Sequence, residues 1–205
     1  MVEGPLNDKV VWVTGSSRGI GRATAMHLAS LGASVAVHGT TPTSTQAFGE
    51  AESLQQVADE VSRQGGEAIT VTGDLTDEAT VKRCAAEVRA HFGRIDALVA
   101  AAGGDIGVQG TMGERGGRPA NNDPVHIGLD DIRVVLDRNL LTCVLCCREV
   151  APEMMERKRG WIVTFGSVAG LGGEPVSGPI YSAAKAAIHE YTRALAHYLR
   201  HNNVN

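Results

Sequence analysis

Residues 10–21 read VVWVTGSSRGIG. The run Val10 to Thr14 is short and almost wholly apolar, as suits a strand of a parallel sheet covered on both faces. It leads without a break into Gly15, Gly19 and Gly21. A helical pattern follows through Ala25, Leu28 and Leu31 and stops at Gly32, and Ser34 to His38 reads as a second strand. Strand, glycine loop, helix and strand make a βαβ unit. Glycines at such a turn let the backbone bend sharply and let a pyrophosphate approach the main chain. The helix that starts there directs free N–H groups and its positive end at the phosphates. The spacing is G-x-x-x-G-x-G, which differs from the G-x-G-x-x-G dinucleotide fingerprint.

The end of the second strand bears on which dinucleotide is bound. NAD sites tend to carry an acid there, which takes the ribose 2′-hydroxyl. Here the segment is His38-Gly-Thr40-Thr-Pro42, and the next acid is Glu50. Arg18 stands inside the glycine loop, placed to pair with a 2′-phosphate. Both features favour NADP over NAD.

Strands and helices alternate through the rest of the chain. A helix is expected within 43–64, with Leu54, Val57, Ala58 and Val61 on one face. A strand follows over Ala68–Thr72, then a turn at Gly73, Asp74 and Leu75. Asp74 is placed either to accept from an adenine amino group or to begin the turn into the next helix, with Thr76 as its cap. That helix runs to Phe92 with Val81, Cys84, Ala85 and Val88 inward, and Asp96–Ala102 is a fourth strand. Residues 103–128 show no periodicity and are rich in glycine. A structureless stretch of that length is read as a substrate lid or an oligomer contact. Its Arg115, Arg118 and His126 read more readily as solvated side chains than as ligands of an anionic substrate. Leu129 opens a long helix through Ile132, Val135, Leu136, Leu140 and Val144, with Asn139, an unfavourable residue for a helix interior, inside it. Trp161–Phe165 is a fifth strand with Ser167 at its tip, followed by a glycine-rich loop over 170–179. The class is α/β with a parallel sheet.

Tyr181-Ser-Ala-Ala-Lys185 opens an amphipathic run, with Ile188, Tyr191, Leu195 and Leu199 at helical spacing. Tyr181 and Lys185 fall on one helix face. A phenol titrates near ~10 and is a poor base at neutrality. An ammonium within about 4–6 Å lowers that value by ~1–3 units. The pair is therefore suited to proton exchange at neutral pH beside a cationic ring.

The chain has 205 residues, enough for one domain, 1–205, with a sizeable core. Its net charge is −4 with no basic block, which argues against nucleic-acid binding. No apolar run approaches the ~20 residues of a membrane span. The first nine residues carry no signal-peptide pattern, so a cytoplasmic enzyme is expected. The four cysteines are Cys84, Cys143, Cys146 and Cys147. Cys143 and Cys146 have Cys-x-x-Cys spacing, but they lie in an apolar helical pattern without further metal ligands in view. They are read as core residues, and no metal is expected.

These residues together resemble the short-chain dehydrogenase/reductase family. The matching parts are Thr14–Gly21, Asp74 with Leu75, Ala101-Ala102-Gly103, Asn139, Ser167 and Tyr181 with Lys185, all in family order and spanning essentially the whole chain. The resemblance implies a Rossmann-type doubly wound sheet and an NADP- or NAD-dependent oxidoreductase acting on a small alcohol/carbonyl pair. It implies Tyr181 as general acid/base and Ser167 as the hydrogen-bonding anchor of the substrate oxygen. Lys185 would lower the Tyr181 pKa and hold the nicotinamide ribose, and Asn139 would anchor a water that links Lys185 to solvent. The cofactor is expected against Gly15, Ser17, Arg18, Gly19, Ile20, Gly21, Thr40, Asp74, Leu75, Ala101 and Gly103, besides Tyr181 and Lys185. Family members are usually homotetramers or dimers. Two departures stand out. Ala100 and Ala101 replace the family's two asparagines after the fourth strand. The chain also stops at Val204–Asn205, about where the family's sixth strand begins, so a shortened chain lacking the last strands is expected. The competing reading is a non-catalytic dinucleotide-binding regulator or inactive paralogue.

Overall fold

A computed structural model describes residues 4–172 and 177–205. Strands β1 (Val10–Thr14), β2 (Ser34–Gly39), β3 (Ala68–Thr72), β4 (Ala97–Ala100) and β5 (Trp161–Thr164) form one sheet in the order β3-β2-β1-β4-β5. Every pairing is parallel, with Val13 beside Val37 on one side and Val99 on the other. The order reverses between β1 and β4, and such a switch point opens a crevice at the carboxyl ends of the strands. The chain's end joins the far edge. Val204 bridges Gly160, Asn205 N–H donates to Gly160 O and Ile162 N–H donates to Asn205 O.

Helices cover both faces, which is why β1 is apolar throughout. Val11 and Val13 pack under α1 (Gly19–Ser30) and α2 (Leu54–Ser62), with Ala25, Ala29, Leu54 and Val57. Val10 and Trp12 point to the opposite core, built from α3 (Glu78–Phe92), α6 (Thr142–Glu156) and α7 (Pro179–Leu199). All four cysteines lie in that second core as free, buried thiols. In α7 the inward face carries Ile188 and Leu199, buried, with Tyr191 and Leu195 partly buried beside them.

Two local expectations change, at the cap of α3 and over 103–128. The helix expected within 43–64 is α2, with Leu54, Val57, Ala58 and Val61 buried, and a 3-10 turn, Ser44–Phe48, precedes it. Gly49 ends the turn at φ 67°, and Ser53 Oγ caps α2 by accepting from Gln56 N–H. Asp77, rather than Thr76, caps α3, because its carboxylate accepts from both the amide and the hydroxyl of Thr80. The stretch 103–128 is ordered by two carboxylates, Asp105 within it and Asp131 in the helix that follows. It contains a 3-10 turn, Gly110–Met112, and a single turn, α4 (Glu114–Gly117), before α5 (Leu129–Leu136). Asp131 accepts from Val108 N–H, and Asp105 accepts from Asn122, Ser177 Oγ and Gly178 N–H. Arg115 donates to Pro119 O and Ala120 O, Arg118 faces Asp105, and His126 pairs with Asp123. These three side chains serve the loop's own fold. Of the loop expected over 170–179, residues 173–176 lie outside the described residues.

Two buried polar groups hold the strands in register. Asp96 accepts from the first amide of β1, Val10 N–H, and from Arg94 and Arg157. His38, at the end of β2, is buried. Its Nδ1 accepts from Gly15 N–H at 3.1 Å and its Nε2–H donates to Gly73 O at 3.0 Å. Its own N–H donates to Ser16 Oγ, which donates to Val13 O. This ring is therefore neutral in a fixed tautomer, and it ties the glycine loop to the ends of β2 and β3. Burial pushes its pKa from 6.5 down to about 4, against smaller opposing effects of the Gly73 carbonyl and Asp74.

Removing Asp96 leaves the buried Val10 amide without its acceptor and takes one partner from two half-exposed guanidiniums, so Asp96→Ala is expected to cost about 2 kcal/mol in urea unfolding. For His38 the unfolded chain takes up a proton first. Its contribution is complete above pH ~6.5 and is lost as pH falls toward ~4, a total of roughly 3 kcal/mol. The stability difference between wild type and His38→Gln should therefore shrink across that interval; a difference independent of pH would contradict the assignment.

Candidate active site

The carboxyl ends of β1 and β4 touch through bare backbone. A Cβ on Gly15, at φ 64°, would lie 2.7 Å from Ala102 Cα, and one on Gly21 would lie 2.3 Å from Gly15 O. Only glycine lets β1, the start of α1 and the β4 tail come this close. Thr14 Oγ1 accepts from Ala102 N–H and donates to Val99 O. Threonine thus steadies the tail that Ala100 and Ala101, lacking amide side chains, leave without side-chain hydrogen bonds.

Past the glycine turn, α1 begins with no acid in its first turn and no side-chain cap from Arg18. Among the described residues no acceptor meets the amides of Ile20 and Gly21. Space above Gly19 is open. Open space, unpaired amides and a helix N-terminus fit a pyrophosphate. Ser17 and Leu75 are buried at the rim, while Ile20, Thr40, Asp74 and Gly103 are exposed along it. The Asp74 carboxylate accepts from Thr76 N–H and Oγ1, so it forms the turn into α3.

On the other side of the β4 tail stands Asn139. It lies in a π-helical turn, Asp137–Leu141, that joins α5 to α6. Such turns are frequent at functional sites. Asn139 is fully buried. Its Nδ2 donates to Val135 O and Gly104 O, and its Oδ1 accepts from Gly104 N–H. Gly103 sits between this amide and Lys185, because a Cβ there would be 2.6 Å from Asn139 Oδ1 and 3.6 Å from Lys185 Nζ.

Lys185 is 5% exposed, and its Nζ donates to Phe165 O at 2.8 Å. The same nitrogen lies 5.6 Å from the centroid of the Tyr181 ring. Burial pulls the Lys185 pKa down, with nearby Cys143 acting in the opposite direction. Tyr181 is in the first turn of α7, which Pro179 starts. Ser167 follows β5 and leads the 3-10 turn Val168–Gly170. Its Oγ accepts from Ala169 N–H, and its hydroxyl proton has no acceptor among the described residues. That turn rests on α7, since a Cβ on Gly170 would meet the Lys185 and Ala186 backbone at 2.6 Å. Asn139, Lys185 and the turn after Ser167 therefore pack around one corner at the carboxyl ends of β4 and β5, with Tyr181 one helical turn before Lys185. Among the described residues no group of three or more acidic, His or Cys side chains is arranged for a metal, and no helix is long and apolar enough to cross a membrane.

Four residues here escaped the sequence reading. His189 Nε2 accepts from Ser167 N–H at 3.3 Å, one turn beyond Lys185 on the same helix; that spacing was available as a signal. His38 positions the glycine loop. Arg138, beside Asn139, is half-buried and near Asp74 and Arg18. Glu50 accepts from Gly19 N–H at 2.9 Å across 31 residues, a contact that no local pattern announces.

The sequence pattern of the family described as short chain dehydrogenase matches residues 9–205. A cyclohexanol dehydrogenase of Rhodococcus sp. (strain TK6) is 37% identical over 94% of this chain and 69% of its own length. A 3-oxoacyl-[acyl-carrier-protein] reductase of Synechocystis sp. is 35% identical over 97% of this chain and 71% of its own. Among solved structures, NAD+-bound xylitol dehydrogenase superposes with a TM-score of 0.82 at 28% identity, over 98% of this chain and 68% of that one. The parallel sheet, the glycine crevice and these likenesses together place the chain in the short-chain dehydrogenase/reductase family of oxidoreductases.

Proposed function

We propose that this chain interconverts a secondary alcohol and a ketone with a nicotinamide dinucleotide, and that Tyr181 is the general acid/base. The observation that carries the reading is the buried Lys185 ammonium beside the Tyr181 ring, on the crevice that the glycine loop opens. A bound nicotinamide supplies the hydride acceptor or donor. The chain's residues supply position and protons. Ser167 has an uncommitted hydroxyl proton to donate to the substrate oxygen. Tyr181 takes the alcohol proton during oxidation and returns it to the carbonyl oxygen during reduction. Lys185, fixed by Phe165 O, holds its positive charge beside the Tyr181 ring. Asn139 holds the β4 tail and the helix carbonyl of Val135 at the spacing the site needs. The Rhodococcus relative is named for cyclohexanol, a secondary alcohol, which supports that substrate class.

The cofactor reading favours NADP(H). No acid stands at the end of β2, and Arg18 and Arg138 form no ion pair among the described residues. Arg18 and Arg138 feel Glu50 and Asp74 beyond ion-pair distance, and partly buried guanidiniums so placed suit an anionic group such as a 2′-phosphate.

Tyr181→Phe is the decisive variant. It should lower nicotinamide-linked turnover of cyclic ketones and secondary alcohols by at least ~100-fold, the scale of general acid/base catalysis. Dinucleotide binding, followed by cofactor fluorescence, should be retained. An unchanged rate would remove the mechanism and leave a non-catalytic dinucleotide binder as the reading.

A further inference from the structure

The connection from β2 to α2 does something the glycine loop alone does not. After Gly39 the chain passes Pro42, turns through Ser44–Phe48 and returns to α1 before α2 starts at Leu54. Two side chains fasten this strap. The Phe48 ring lies under the Arg18 guanidinium, 4.1 Å from Cζ to the ring centroid. Its edge also borders Gly116 of the 103–128 stretch, where a Cβ would be 3.8 Å from Phe48 Cε1. The second fastener is Glu50. Its Oε2 accepts from Gly19 N–H at 2.9 Å and is 3.7 Å from Arg22 Nη1, which also donates to Glu50 O at 2.7 Å.

Glu50 is thus the first acid after β2, carried back to the first amide of α1. In dinucleotide sites an acid from the end of the second strand takes the ribose 2′-hydroxyl. The adenosine ribose is bonded directly to the pyrophosphate, which would bring a 2′-phosphate toward the same end of α1. A phosphomonoester there brings about −1.5 to −2 charges toward a fixed carboxylate. Arg18 attracts that group. Glu50 repels it, and it also draws on the same guanidinium, which feels Glu50 more strongly than it feels Arg138.

We propose that Glu50, delivered by the strap, is a specificity-determining residue that opposes the 2′-phosphate and keeps NAD(H) acceptable to a site whose Arg18 favours NADP(H). The inference rests on the dinucleotide reading above. Neutralising Glu50 removes the repulsion without removing Arg18. NADPH should therefore gain affinity, whereas NADH, with a 2′-hydroxyl, should lose the acceptor and gain nothing.

The test is a fluorescence titration of the purified chain with NADPH and with NADH. Wild type, Glu50→Gln and Glu50→Lys are compared, with Glu52→Gln, two residues along the strap, as the control for general surface charge. Glu50→Gln should raise the NADPH-to-NADH affinity ratio by about tenfold at low salt, the size of a screened like-charge contact. Glu50→Lys should raise it further. Added salt should narrow the gap between wild type and variant. A ratio unchanged in Glu50→Gln, or shifted as much by Glu52→Gln, overturns the proposal while the dinucleotide reading stands. Equal tightening of both cofactors also overturns it, because Glu50 would then compete only with the pyrophosphate. A wild type that binds neither dinucleotide overturns the dinucleotide reading and this proposal with it.

Discussion

The contact between the glycine turn after β1 and the tail of β4 governs the rest of this molecule. Gly15 and Ala102 approach so closely that no side chain fits between them. That approach clamps the β4 tail from one side, with Thr14 Oγ1 on the Ala102 amide. Asn139 clamps it from the other side by bonding both polar groups of the Gly104 backbone. The tail is therefore a shared wall. Its α1 side faces the glycine turn, and its α7 side faces Lys185. On the function proposed above, a shift of that wall would move the dinucleotide crevice and the Tyr181–Lys185 corner together.

The charges on the two sides of the wall are handled differently. Lys185 is buried and its ammonium rests on a main-chain carbonyl rather than a carboxylate. A lone buried cation is costly unless it is hydrogen-bonded, and the Phe165 carbonyl supplies that bond without neutralising the charge. On the phosphate side the reverse holds. Arg18, Arg138, Glu50 and Asp74 ring an open, partly solvated rim, where opposite charges stand near one another. Histidines fix both sides. His38 holds the loop amide of Gly15, and His189 holds the amide of Ser167.

Much of this was legible from residues alone because it depends on local spacing. The βαβ unit follows from an apolar run, three glycines and a helical period. The face shared by Tyr181 and Lys185 follows from a separation of four residues on a helix. Asn139 inside a helix signalled a broken local rule, and the π turn and buried amide are the form it takes. Element ends were less legible. Asp77 outcompeted Thr76 for the cap because a carboxylate accepts from the amide and hydroxyl of Thr80 at once. The stretch 103–128 looked structureless because its order comes from single carboxylates, Asp105 and Asp131, rather than from a repeating face.

Residues alone carry the alternation of strands and helices, the glycine turn and the helix face shared by Tyr181 and Lys185, since each is encoded within one turn or one strand. The fold had to decide everything that joins distant segments: the strand order that opens the crevice between β1 and β4, the neutral His38 between three segments, and the return of Glu50 to Gly19. The physical reason is range. Periodicity and capping act over a few residues, whereas a hydrogen bond across 31 residues exists only once packing has brought its two ends together.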